Sequence, residues 1–182
     1  MTTLYEMTVK EGVYMFSPVE QSAPFWVTWP IGGTETSRIT DKFDAPRGYA
    51  NGKHEGMDCD SYINATGQLA PVLAAQDGVV EYVSKRTDGN SYGWHIVIRH
   101  PWNGVTDRYR TLYAHLSGIL VTAGLAVTRG QQIGIAGATG TNAVHLHFGV
   151  YDARAGLKGY VRCKDCTGLF PEGVINPQSV LK

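Results

Sequence analysis

Glycine interrupts the apolar segments of this chain at intervals too short for long helices. The 182 residues include 22 glycines, and runs such as Ile31-Gly32-Gly33 and Gly134-Ile135-Ala136-Gly137 fall within hydrophobic stretches. Inside a helix each glycine would cost about 0.5–1 kcal/mol relative to alanine, whereas turns and bulges exploit its freedom. Between the glycines the residues alternate with a period of two. "HIVIRH" (95–100), "RYRTLYAHL" (108–116) and "AVHLHFGVYD" (143–152) read as strands, and helical period is hard to find around them. The expectation is an all-β fold of short strands. "LAPVLAAQDGVVEYV" places two apolar runs around Asp77-Gly78, a strong turn dipeptide, and reads as a hairpin or a tight strand connection.

Length and composition fit one ordinary domain, with 43% hydrophobic and 18% charged residues. Residues 1–24 lack a clear period and "SPVEQSAP" reads as a loop, so they are taken as an N-terminal extension; the β domain is expected over 25–182. "FWVTWP" (25–30) looks like its first strand, entering a turn at proline. An irregular, glycine-rich insertion containing Cys163 and Cys166 is expected at about 152–174. Lysine plus arginine equals aspartate plus glutamate at 16 each, which removes the basic footprint that nucleic-acid binding needs. No stretch approaches the roughly 18 to 20 apolar residues of a membrane span, and the N-terminus lacks the pattern of a secretory signal. A monomer is the expectation.

The chemistry concentrates on histidines. In "AVHLHFGVYD" the period of two puts Val144, Leu146 and Phe148 on one strand face and His145 and His147 on the other. Together with His54 and Asp58 of "HEGMD", His147 makes a set of two imidazoles and a carboxylate, which zinc accepts while keeping a fourth position open. Such an ion lowers the pKa of a held water to about 7, a nucleophile suited to amide hydrolysis. His115 and His145 are the candidates for accepting the water's proton and steadying the oxyanion. Four of six histidines in these short segments are hard to explain as packing, although His54 and His147 lie about ninety residues apart in the chain.

Taken in order, "HEGMD", "DGVV", "IRH", "LYAHL", "GQQIGIAGATG" and "VHLHFGV" resemble the lysostaphin (LytM) type of peptidoglycan endopeptidase. The likeness runs from about Trp29 to Asp152, and "INPQSVL" (175–181) resembles that family's closing segment. The resemblance implies an antiparallel β-sheet core with long loops forming a substrate groove. It also implies one catalytic zinc ion on His54, Asp58 and His147, with His145 as general base and His115 beside it binding the water or the developing oxyanion. The implied substrate is the peptide of bacterial peptidoglycan, either a D-alanyl to diaminopimelate cross-link or a glycine bridge. A non-catalytic zinc-binding module of a phage tail or wall assembly is the alternative. The implied place of action is the cell wall, for an antibacterial phage lysin (endolysin) or virion enzyme, or for a secreted protein without its signal. One departure stands out: Phe43 is followed by Asp44 where the family usually has glycine.

Other residues carry weaker expectations. Cys163 and Cys166 form a disulfide or a free pair, a redox pair, or part of a second metal site, and Cys59 is a buried structural thiol. His95 and His100 are expected to be structural or solvent-facing. Tyr49 and Tyr113 are each candidates for the groove or for packing, and Phe25, Trp26 and Trp29 for wall contact or for the core.

Overall fold

The architecture was obtained as a computed structural model, which describes residues 24–32, 39–47, 52–62, 67–86, 92–153 and 173–182, together with the backbone of two strands nearer the N-terminus. The strands, in chain order, are β1 (Tyr5–Lys10), β2 (Val13–Pro18), β3 (Ile39–Asp41), β4 (Met57–Cys59), β5 (Pro71–Leu73), β6 (Gly78–Ser84) and β7 (His95–Trp102). They continue with β8 (Val105–Ala114), β9 (Gly118–Ile119), β10 (Ala126–Val127), β11 (Gln132–Ile135), β12 (Leu146–Asp152) and β13 (Val174–Ile175). The main sheet runs in the order β10-β6-β7-β8-β12-β4-β3, with β13 also pairing β12, and every pairing in it is antiparallel. A second, three-stranded antiparallel sheet has the order β5-β11-β9. The all-β, antiparallel expectation is met.

Alternation along the central strands divides the side chains between two faces. Ile96 and Ile98 of β7, Tyr113 of β8, and Leu146, Phe148 and Val150 of β12 join the main core, where Val27, Val72 and Ile133 cover them. Val97, Leu112, Ala114 and Tyr151 point the other way into a smaller cluster with Tyr92. Each fully buried aliphatic or aromatic side chain contributes about 1.5–3 kcal/mol, so the main core holds the sheet rigid from below. The second face is where polar chemistry can be built, because fewer apolar residues crowd it.

One expectation changes on folding, and two gain detail. Of the two readings of Asp77-Gly78, the tight strand connection holds and the hairpin does not: β5 pairs with β11 while β6 pairs with β7 and β10, so the turn carries the chain from one sheet to the other. "FWVTWP" is not a regular strand but an extended segment fastened by single bridges, Val27 to Leu181 and Ile31 to Val72. Phe25 within it stacks on Tyr109 at 4.0 Å, a core role, while Trp26 lies under the cations of Arg129 and Lys182. Nearer the N-terminus, β1 and β2 pair in register from Tyr5–Pro18 to Lys10–Val13. The stretch read as an extension thus contains a hairpin; its apolar residues are too mixed in period to reveal this locally. Tyr49, Cys163 and Cys166 lie outside the described residues.

Candidate active site

Register places the central residues. β12 runs antiparallel to β4 with His147 opposite Asp58, and to β8 with His147 opposite Ala114. His54 enters from the segment before β4, and its ring reaches His147 across 93 positions of sequence. His54 Nε2 lies 2.9 Å from His147 Nδ1, and each of these nitrogens is 3.1 Å from Asp58 Oδ1. All three residues are buried. The ligand set read from the sequence is thus drawn together at one point.

Three such acceptors at this separation need a shared cation. His54 Nδ1–H donates to Lys42 O at 2.9 Å, so its Nε2 presents a lone pair to the cluster. Lone pairs of two nitrogens and a carboxylate oxygen repel unless a proton or a metal ion sits between them. Edges of 2.9–3.1 Å come close to the ligand–ligand edge of about 3.4 Å that tetrahedral bonds of about 2.0–2.1 Å to zinc require. The donor set therefore fits a metal ion with one coordination corner left open. Burial alone would raise the Asp58 carboxyl, but the imidazoles of His147 and His54 within hydrogen-bonding distance outweigh that and hold it well below the usual carboxylate range.

Arg47 completes the carboxylate's surroundings. Its guanidinium touches Asp58 Oδ2 at 3.2 Å and Asp41 Oδ2 at 2.5 Å. That division leaves Oδ1 free for the imidazoles, the kind of outer contact that orients a ligand. Arg47 was not singled out from the sequence, because nothing local ties it to Asp58.

His115 and His145 face the same pocket, a cavity of about 270 Å³ whose walls also include Glu55, Tyr92 and Thr141. Their ring centroids are 4.5 Å apart, and His145 Nε2 is 3.8 Å from Asp58 Oδ1. His115 follows the last residue of β8 with φ 66, a left-handed conformation that an ordinary side chain adopts only where the surroundings impose it. Its backbone N–H is held by Tyr92 O and its ring by Thr139. His115 Nδ1–H donates to Thr139 O and His145 Nδ1–H to Ala143 O, each at 2.9 Å, so both rings turn Nε2 toward the cavity. Burial, reinforced by the neighbouring rings of His147 and His145, pushes the His115 pKa down to about 3. Burial lowers that of His145 as well, so both rings are neutral near pH 7 and offer lone pairs.

Gly56 lets these parts approach. A Cβ there would stand 2.5 Å from Phe148 O and 2.8 Å from the His147 ring, so only glycine fits between β4 and β12. Asp44, at the departure noted in the sequence, adopts φ 68, the conformation a glycine takes without strain. Its N–H donates to His54 O while His54 N–H donates to Ala45 O, so this loop grips the first candidate ligand.

The remaining candidates are structural. His100 is fully buried between Asp77 O and Thr111 Oγ1, both 2.8 Å away, and His95 is held by Gly93 O and Tyr82 Oη. Tyr113 does not line the pocket: it is inside the main core, where Ala75 N–H donates to its hydroxyl. Cys59 faces the core as expected, its thiol raised by burial. Glu55 and Tyr92 were missed as pocket residues, the first because it sits unremarkably inside "HEGMD", the second because only folding brings it there.

The profile of Peptidase family M23 matches residues 52–158, more than half of the chain and the whole of the pocket apart from Arg47. This chain belongs to peptidase family M23. The M23 region is similar to the peptidoglycan DD-endopeptidase ShyB of Vibrio cholerae, 43% identical over 98 residues that make up 53% of this chain and 20% of ShyB. It is also similar to the murein hydrolase activator NlpD of Salmonella typhimurium, 33% identical over 134 residues, 72% of this chain and 30% of NlpD. Among solved structures, a zinc containing peptidase from Vibrio cholerae is 30% identical with a TM-score of 0.54, covering 80% of this chain and 43% of that one. The catalytic domain of lysostaphin from Staphylococcus simulans is 25% identical with a TM-score of 0.54, covering 79% and 90%. The lysostaphin-type resemblance therefore holds for family and fold. This M23 chain spans well under half the length of the curated relatives it matches.

Proposed function

We propose that this M23 chain is a zinc-dependent endopeptidase that hydrolyses peptide bonds in bacterial peptidoglycan, with residues 25–182 as the peptidase domain. The observation that carries the reading is the meeting of His54 Nε2, Asp58 Oδ1 and His147 Nδ1 at 2.9–3.1 Å, with the Nε2 atoms of two neutral histidines facing the same cavity. His54, Asp58 and His147 would hold the ion. When bound there, zinc supplies Lewis acidity toward a scissile carbonyl and toward water.

The chain's own residues supply the rest. His145, neutral and fixed by Ala143 O, takes the water's proton on Nε2 as general base. His115 presents a second lone pair that orients the water, and it becomes a donor toward the oxyanion only once it carries a proton itself. Arg47 keeps the Asp58 carboxylate aligned throughout.

The relationship to NlpD raises a second reading, a metal-binding M23 module that regulates wall hydrolysis without turnover. The presence of both His115 and His145, aimed into the cavity, supports the hydrolytic reading, since a module that only binds has no use for two bases there. At the cell wall the hydrolase is expected to be lytic and antibacterial. Loss of turbidity of purified cell walls, followed with and without a chelator, decides between the two. Chelator-sensitive clearing, with new muropeptide ends identified by mass, is the expected result; intact walls in the presence of zinc-loaded protein would overturn it.

A further inference from the structure

Glu55 is a buried carboxylate that the hydrolytic machinery leaves unused. It is 6% exposed and lines the same cavity as the five site residues. Tyr92 Oη–H donates to its Oε1 at 2.5 Å, and Tyr92 is itself buried, its ring 5.5 Å from that of His147. Among the described residues no lysine, arginine or histidine forms an ion pair with Glu55. Arg47, the arginine among the cavity's described lining residues, is already engaged by Asp41 and Asp58.

A carboxylate accepts through two oxygens, and Tyr92 takes up Oε1. With no ion-pair partner among the described residues and a place on the pocket wall, the Glu55 carboxylate is complementary to a cationic ligand group. A primary ammonium suits this place, having three donors on a compact centre. We infer that Glu55, oriented by Tyr92, is a specificity residue that reads a protonated amine of the substrate close to the scissile bond. The substrate class is then a stem peptide carrying a free side-chain amine, of the diaminopimelate or lysine kind, rather than an all-glycine bridge. This inference rests on the peptidoglycan reading above and sharpens it.

The test uses a cross-linked diaminopimelate peptide dimer and the same dimer after N-acetylation of its free amines. Each is given to zinc-loaded wild-type protein and to Glu55→Gln, which keeps an acceptor for Tyr92 but removes the charge. Product masses give kcat/KM. Wild type is expected to prefer the free amine by about ten-fold or more, and Glu55→Gln to bring the ratio to about one, chiefly through KM. An unchanged ratio in the variant, or no preference in wild type, overturns the inference. Calorimetric binding of both dimers to zinc-loaded His145→Ala, with and without Glu55→Gln, separates the two readings. A Glu55-dependent preference in binding without cleavage by wild type retires the peptidase reading and keeps the ammonium site. No preference in binding or in cleavage removes the ammonium site alone.

Discussion

Gly56→Ala isolates the close approach on which the candidate metal site depends. The added methyl would lie 2.5 Å from Phe148 O, 2.8 Å from His147 Cε1 and 2.9 Å from His147 Nε2. Carbon and oxygen in van der Waals contact stand about 3.3 Å apart, so β4 and β12 must part by something near 0.8 Å, or the His147 ring must turn aside. Overpacking of this kind costs about 1–3 kcal/mol. For a chain of this size each kcal/mol lowers Tm by about 2–4 °C, which sets the expected fall at about 2–12 °C. Binding geometry tolerates only about 0.5 Å, so the displacement is expected to weaken zinc by ten-fold or more, about 1.4 kcal/mol. The assay is chelator competition for zinc alongside thermal unfolding of the metal-free protein. Gly104→Ala serves as control, since Gly104 has φ 78 but nothing within 4 Å of the added Cβ. It is expected to lose about 1–2 kcal/mol of stability from backbone strain while keeping zinc affinity. If Gly56→Ala bound zinc like wild type, the argument that this glycine sets the His147 position would be wrong.

Further outcomes follow from individual contacts. His145→Ala is expected to keep one zinc per chain, measured by metal analysis, and to lose about 10²–10⁴-fold in wall hydrolysis; retention of most of the rate would remove His145 from the role of base. His100, pushed down to about 4 by burial, binds its proton less readily folded than unfolded. Its contribution is intact above the unfolded value near 6.5 and is lost as pH falls toward 4, a total of about 3 kcal/mol. Urea unfolding between pH 7 and 4 should therefore show a shallower loss in His100→Asn than in wild type, and parallel curves would contradict the assignment. Asp44→Gly relieves a left-handed backbone at φ 68 and loses an exposed ion pair with Lys53. The net is expected to be a gain of up to about 1 kcal/mol, seen as a higher Tm, and a clear fall would show that the Asp44 side chain holds the His54 loop in another way.

Much of this M23 chain is legible locally. The period of two in "HIVIRH" and "AVHLHFGVYD" states within ten residues which side chains share a face, and β7 and β12 obey it, with Leu146 and Phe148 in the core and His147 on the opposite side. The chemistry of the metal set is equally local in kind, since histidine and aspartate are recognisable wherever they occur. Patterns failed where the signal depends on a partner. "FWVTWP" has strand composition but its hydrogen bonds go to single bridges, and the hairpin of β1 and β2 is made by pairing that neither strand announces alone.

What the sequence determined by itself was the all-β class, the two faces of the central strands and the identity of five of the polar residues around the cavity. Tertiary structure decided that His54, Asp58 and His147 meet, because β4 and β12 must first pair in the one register that sets Asp58 opposite His147. The same long-range pairing delivered Arg47 to Asp58 and joined Tyr92 to Glu55. Periodicity is written within one strand, whereas convergence is a property of which strands become neighbours, and no stretch of chain shorter than the interval between them carries that information.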